Sequence, residues 1–260
     1  MCLIVFALES HPHYRLILAA NRDEYFTRPT RPAGFWPDAA RLLAGRDLQA
    51  GGSWLGVTID QRMAAVTNYR EPHHHLTDQP SRGRLVADFL TGAETPTAYL
   101  EMLHREGGQY GGFNLLVGDD DGLFWYSNRG NGPERIPAGI HGLSNHLLDT
   151  PWPKVTTARA QLAELLNSER PDTEALFTAF ADTRPFPDQL LPDTGIGIDR
   201  ERLLSPLFIA GNDYGTRSTT LLLIDRDNRV TFVERCYDSR QQVTGTTTVN
   251  IEPDGTHSST

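Results

Sequence analysis

Cysteine is nearly absent from this chain: Cys2 and Cys236 are the only two in 260 residues. A single pair in a chain this long is no disulfide framework, so a packed core must supply the stability and a reducing, cytoplasmic setting is expected. Basic charge is short as well. Lys and Arg number 24 against 33 Asp and Glu, a formal net charge of -9. No cluster of Lys or Arg relieves that balance, which argues against non-specific binding to nucleic acid or anionic membrane. Long apolar runs are missing too. The stretch from Cys2 to Leu8 is too short for a signal-peptide core, has no basic region before it, and falls far below the roughly 20 apolar residues that span a bilayer. No integral membrane association is therefore expected. No Pro/Ser/Gly-rich linker divides the chain. Residues 1–238 read as one domain, followed over 239–260 by a polar tail, poor in apolar residues, that is expected to be flexible. Dinucleotide-binding and phosphate-loop glycine patterns are absent.

What is present reads as hairpins and two helical blocks. Cys2 to Leu8 is a near-continuous apolar run, as a strand buried on both faces requires. His11, Pro12 and His13 mark a turn, and Arg15 to Ala20 runs back, delivering Asn21-Arg22-Asp23-Glu24 near the start of the chain. Tyr25 to Leu48, rich in Pro, Arg and aromatics without a period, reads as an ordered loop. Strands are expected at Trp54–Ile59, Arg62–Asn68, Gly111–Gly118, Gly122–Ser127, Ile140–Ser144, Thr219–Ile224 and Val230–Glu234. Helices are expected over Ser81–Leu90, Pro96–Glu106, Lys154–Asn167 and Thr173–Phe180, with a Pro-rich loop up to Pro206. Hairpins imply antiparallel pairing and the helices need sheet faces to cover, so the expected class is α+β, two sheets layered between helices.

The chemistry concentrates at Cys2. Cytosolic processing generally removes Met1 when a small residue follows it, and Cys2 would then carry a free α-amine that titrates near ~7.7–8.0, beside a thiol whose thiolate is the nucleophile. Such a residue supplies nucleophile and base together. By position alone Cys2 reads more readily as a small hydrophobe opening a strand. Arg22 and Asp23 end the partner strand, where a cation favours the thiolate and a carboxylate orients the ammonium. The bland alternative is a surface ion pair worth about 0–1 kcal/mol. Neighbours on a strand point to opposite faces, so only one of the two is expected to reach the sulfur.

Cys2 and Asn21-Arg22-Asp23-Glu24, with Gly51-Gly52-Ser53-Trp54-Leu55-Gly56, Thr67-Asn68-Tyr69-Arg70, Ser81-Arg82-Gly83, Phe113-Asn114-Leu115-Leu116 and Gly142-Leu143-Ser144-Asn145, identify the chain as a member of the NRDE family, also called the transport and Golgi organisation family. More distantly it resembles the N-terminal nucleophile hydrolases of the cholylglycine and penicillin V acylase type. That resemblance implies a four-layer αββα sandwich and a hydrolase of non-peptide C–N amide bonds with no required cofactor. It implies Cys2 as nucleophile, Arg22 and Asp23 as the early polar pair, Asn68 (with Tyr69 beside it) and Asn145 as oxyanion donors, and Arg217 as the late arginine. Unlike the acylases, this chain has its early Arg and Asp adjacent. Asn is also a common turn residue, which is the plainer reading of Asn68 and Asn145.

The same family resemblance implies a second reading, a non-catalytic carrier of haem or lipid. His11, His13 or His73 to His75 would then be candidate ligands, with no Cys-x-x-Cys-His pattern for covalent attachment. Read on their own, the consecutive histidines are a solvated loop rather than a metal site, and Asp119 to Asp121 are a hairpin turn lacking the Gly and Glu of a calcium loop. Trp36, Trp54, Trp125 and Trp152 with Phe35 and Tyr69 could line an apolar pocket but read more simply as core, and Asn114, inside an apolar strand, calls for a buried hydrogen-bond partner.

Overall fold

The computed structural model describes residues 3–72 and 79–260. Its centre is a pair of seven-stranded sheets in which neighbouring strands run antiparallel. The first sheet is built from β1 (Leu3–Leu8), β2 (Tyr14–Tyr25), β10 (Gly139–Leu143), β11 (Tyr214–Asp225), β12 (Val230–Tyr237), β13 (Val243–Ile251) and β14 (His257–Ser259), in the order β10-β1-β2-β11-β12-β13-β14. The second follows chain order from β3 (Thr30–Trp36) and β4 (Ala39–Asp47) through β5 (Leu55–Thr58), β6 (Met63–Asn68), β7 (Phe113–Asp119) and β8 (Gly122–Ser127) to β9 (Glu134–Arg135).

Alternation along each strand divides the apolar side chains between three cores. In β1, Ile4 and Phe6 enter the core between the sheets, while Leu3, Val5 and Ala7 pack against α3 (Pro153–Leu165) and α4 (Thr173–Phe180). The outer face of the second sheet is covered in the same way by α1 (Gly83–Thr91) and α2 (Pro96–Glu106). Helices, sheet, sheet, helices: the αββα order expected from the sequence is the one observed. A short α5 (Ile198–Leu203) interrupts the Pro-rich stretch that reads as loop. Among the described residues no helix is long and apolar enough to cross a membrane.

Two segments differ from expectation. Tyr25 to Leu48, read as loop, holds β3 and β4. The pattern is hidden because β3 is an edge strand containing Pro32, with register shifts on both sides of the Gly34–Phe35 pairing. Proline and bulges belong at edges, where they erase alternation. The tail expected to be flexible from 239 onward instead forms β13 and β14, zipped onto β12 from Tyr237 opposite Val243 to Val230 opposite Ile251. Its threonines are β-branched and suit a strand, and Val249 and Ile251 complete the inter-sheet core.

Two of the glycine motifs are explained by one contact. Ser53 N–H donates to the Gly83 carbonyl at 3.0 Å, and a Cβ on Gly52 would stand 2.4 Å from the Gly83 carbonyl carbon. The Gly51-Gly52-Ser53 turn and the start of α1 thus touch backbone to backbone, an approach only glycine allows.

Candidate functional site

β2 extends beyond β1. The last described pair of the two is Leu3 opposite Asn21, whereas β2 continues to Tyr25 alongside β11. The Asn21-Arg22-Asp23-Glu24 segment therefore sits at an overhang, and its side chains part to opposite faces as alternation demands. Asn21, fully buried, anchors the strand to the helical layer. Its Nδ2 donates to the carbonyls of Phe180 (3.0 Å) and Leu207 (2.8 Å), and its Oδ1 accepts from the Thr219 hydroxyl (2.7 Å). Arg22 turns the other way, into the inter-sheet space, with its Cζ 4.1 Å from the centre of the Trp54 ring. Asp23 returns to the helix side and accepts the Thr216 hydroxyl at 2.6 Å.

Asp23, Asn68 and Asn145 line one cleft of about 700 Å³. Asn68 ends β6, and Asn145 follows β10 in the turn that leads to α3. The two are tied together: Asn145 Nδ2 donates to the Asn68 carbonyl at 3.0 Å, and the Arg70 N–H donates to the Asn145 carbonyl at 2.7 Å. Beneath them Asn114, fully buried, donates to the Thr67 hydroxyl and the His146 carbonyl and accepts from the Trp125 indole. This is the structural role its place in an apolar strand calls for.

The cleft wall is braced by an ion pair that sequence reading passed over. Arg70 Nη1 meets Glu201 Oε2 at 2.5 Å with both side chains buried, while Arg70 Nη2 reaches Asn145 Oδ1 at 3.3 Å. Glu201 also accepts the Thr194 N–H and hydroxyl, so it ties the 194–201 segment to the asparagine. Arg70 lies inside the quoted Thr-Asn-Tyr-Arg motif. Its partner comes from a Pro-rich stretch whose local pattern carries no signal. Lys154, buried at the start of α3 with Nζ on the Leu204 carbonyl at 3.0 Å, is another charged wall residue that periodicity does not reveal.

The remaining candidates lie elsewhere. Arg217 occupies the bulge between Thr216 and Ser218, and its Nη1 donates to the carbonyls of Tyr25 and Arg28; it clips the turn after β2 and is not among the residues lining the cleft. Cys2 and His73 to His75 lie outside the described residues. Both ring nitrogens of His11 are engaged, with the Ser168 carbonyl and the His13 N–H. No group of three or more metal-binding side chains occurs among the described residues. Behind Arg22 lies Glu234, wholly buried, accepting the Ala33 N–H at 2.7 Å; burial pushes its carboxyl up and likewise the neighbouring Cys236 thiol, to about 12.

One pair sets the position of the Asn145 turn against pH. His141 Nδ1 meets Asp149 Oδ2 at 2.7 Å, and Asp149 Oδ1 accepts the Gly142 N–H. The hydrogen bond to Asp149 raises His141 above the ordinary histidine value. Burial pushes Asp149 up, but the bonds from His141 and Gly142 outweigh it and hold the carboxyl below its usual range. A raised histidine stabilises fully below its unfolded value and loses that contribution as pH rises through the folded one; a depressed carboxylate stabilises above its unfolded value and loses it on acidification. The pair is therefore strongest between about pH 4 and 6.5. On going from about pH 6 to about pH 8.5, the wild-type urea midpoint is expected to fall further than that of His141→Gln. Parallel pH curves for the two proteins would refute the assignment.

Comparison with known proteins agrees with this architecture. The sequence profile of the family described as Transport and Golgi organisation 2 matches residues 1–239. The chain is 37% identical over 257 residues to the Transport and Golgi organization 2 homolog of Mus musculus, covering 90% of this chain and 92% of that protein. It is 36% identical to the Homo sapiens homolog over the same shares of the two chains, and 28% identical to the Drosophila melanogaster protein. Among solved structures, the Caenorhabditis elegans ortholog of N-acylethanolamine-hydrolyzing acid amidase superposes with a TM-score of 0.53 at 11% identity, covering 85% of this chain and 92% of that one. At that identity the likeness establishes the fold.

Proposed function

The chain belongs to the Transport and Golgi organisation 2 family, and from that premise we propose that it is an N-terminal-cysteine amidohydrolase cleaving the C–N amide bond of a small acylated molecule. The observation that carries this reading is the register. β1 opens at Leu3 opposite Asn21, and one peptide unit, about 3.8 Å in Cα spacing, separates Leu3 from Cys2. The described end of β1 therefore lies beside the polar overhang of β2, whose Asp23 shares a cleft with Asn68 and Asn145.

In the proposed reaction the Cys2 thiol gives its proton to its own α-amine, and the sulfur attacks the amide carbon. The oxyanion that forms is met by the amide hydrogens of Asn68 and Asn145. Asn145 has committed one Nδ2 hydrogen to the Asn68 carbonyl and carries a second. The C–N bond breaks as the α-ammonium protonates the leaving nitrogen. Water then attacks the thioester, its proton passing to the amine, and the sulfur leaves as the thiol. Asp23 orients the ammonium, Arg22 favours the thiolate, and Arg217 supports the turn that follows. No metal or cofactor enters this scheme.

The second reading, carriage of an acyl lipid or haem in the same cleft without turnover, draws on the Asn145 side chain being already engaged with both Asn68 and Arg70. The test that separates them is intact-mass spectrometry after mixing with a 4-nitrophenyl ester of a medium-chain fatty acid. The amidohydrolase reading expects a transient acyl adduct on the N-terminal peptide of wild type and none on Cys2→Ser at the same time point. Equal labelling of the two proteins refutes it.

A further inference from the structure

Much of the apolar lining of the cleft comes from one stretch of chain, with Ile196, Leu203 and Leu204 followed by Ile209. Arg200 shares that stretch and is exposed. Ile196 is set in an unusual way. It stands between Gly195 (φ +79°) and Gly197 (φ +87°), both in the left-handed region that favours glycine. Gly195 is required on a second count, because a Cβ there would fall 2.8 Å from Cγ of Pro72, itself a lining residue. The short loop carrying Ile196 is closed on a single residue at both ends. The Glu201 N–H donates to the Gly197 carbonyl at 3.1 Å. Glu201 Oε1 accepts the Thr194 N–H at 3.0 Å and the Thr194 hydroxyl at 2.5 Å. Its other oxygen, Oε2, takes Arg70 Nη1, and Arg70 Nη2 reaches Asn145 Oδ1 at 3.3 Å. One carboxylate, 2% exposed, therefore fixes an apolar residue of the cleft and a polar one in the same frame.

We propose that Ile196 is a specificity-determining residue: bolted through Glu201 at a set separation from Asn145, it limits the size of the apolar acyl group that the cleft accepts. The inference rests on the amidohydrolase reading, which places the scissile carbonyl at Asn145. From there the acyl group follows the apolar stretch until it meets the loop that packs on Pro72. A stop carried on a loose loop would yield to a longer chain. This one is tied at Thr194 and at Gly197 to a buried side chain, so excess methylenes must leave the cleft or pull the carbonyl from its donor. Thr194, which acts through Glu201, is a positioning residue for the stop.

The test is kcat and KM for 4-nitrophenyl esters of straight-chain acids, acetate through decanoate, on wild type, Ile196→Ala, Ile196→Phe, Thr194→Val and Thr194→Ser. Wild type is expected to show an optimum chain length and a fall in kcat/KM of about tenfold just beyond it, the lower end of what one methylene is worth against an apolar wall. Ile196→Ala moves the optimum to longer chains, and Ile196→Phe moves it to shorter ones. Thr194→Val softens the cutoff by lowering KM for the long esters, and Thr194→Ser restores it. An unchanged chain-length order in the folded Ile196 variants overturns the inference while leaving the amidohydrolase reading in place. Calorimetric titration of the corresponding N-methyl amides into Cys2→Ala protein, with and without the Ile196 substitutions, separates the two claims. A binding optimum that follows residue 196 in a protein without turnover supports the stop and refutes the amidohydrolase reading alone. Neither binding nor turnover for any member of the series overturns both.

Discussion

Protein whose N-terminus is blocked by an uncleaved extension ahead of Cys2 is expected to turn over amide substrate about 10²–10⁴-fold more slowly, and cleavage that leaves Cys2 as the first residue is expected to restore activity. The reason is chemical. In the proposed reaction the base is the α-amine of Cys2 itself, and an amide nitrogen in its place accepts no proton. General-base assistance typically contributes 10²–10⁴-fold, about that much being lost with the amine even if the thiol remains in place. The measurement is initial rate before and after specific proteolysis, with the thermal midpoint recorded on both samples to show that the fold is unchanged. Equal rates in the two would remove the amine from the mechanism. Cys2→Ala, processed normally, separates the nucleophile from the base: it keeps the amine and is expected to lose the acyl adduct altogether.

Glu201→Gln is expected to be the most damaging single substitution in the support behind the cleft wall. The Arg70–Glu201 pair is buried on both sides, with side-chain exposures of 8% and 3%. Removing one member of a buried pair costs about 3–5 kcal/mol, because the other charge is left uncompensated away from water. For a chain of this size each kcal/mol moves the thermal midpoint by about 2–4 °C, so a fall of roughly 6–20 °C is expected. Activity should drop beyond the loss of folded protein. Arg70 holds Asn145 through both its backbone N–H and Nη2, and a misplaced oxyanion donor typically lowers the rate by ~10²–10³. Calorimetry and kcat measured well below the new midpoint read the two effects separately. A variant with an unchanged midpoint would mean that the pair adds little to stability. Normal kcat in the folded variant would mean that Asn145 is held by other contacts.

These expectations draw unequally on sequence and structure. The helices α1 to α4 and the hairpin strands were legible because each carries its own periodicity. The apolar residues of Leu3–Leu8 and Arg15–Ala20 announce a strand pair, and Thr173–Phe180 ends where its apolar spacing ends. Local pattern failed where the stabilising partner is distant. β3 and β4 hide behind Pro32 and two register shifts, and β13 looks like a polar tail until β12 is there to pair with it. In the same way Arg22 and Asp23 were readable as a chemically loaded dipeptide, and alternation alone said they would part. That Arg22 would rest on Trp54, and Asp23 on Thr216, required the second sheet and β11.

Taken by itself, the order of residues determined the layered α+β class and the position of the polar overhang at the end of β2, since each of these depends on side-chain type and short-range spacing. The tertiary structure alone decided which polar groups share a cleft. Asn68 and Asn145 are joined through 77 positions of chain, and Arg70 meets Glu201 across 131. Contacts of that span are selected by how two sheets and their helices pack, and no stretch of sequence near either partner encodes the distance between them.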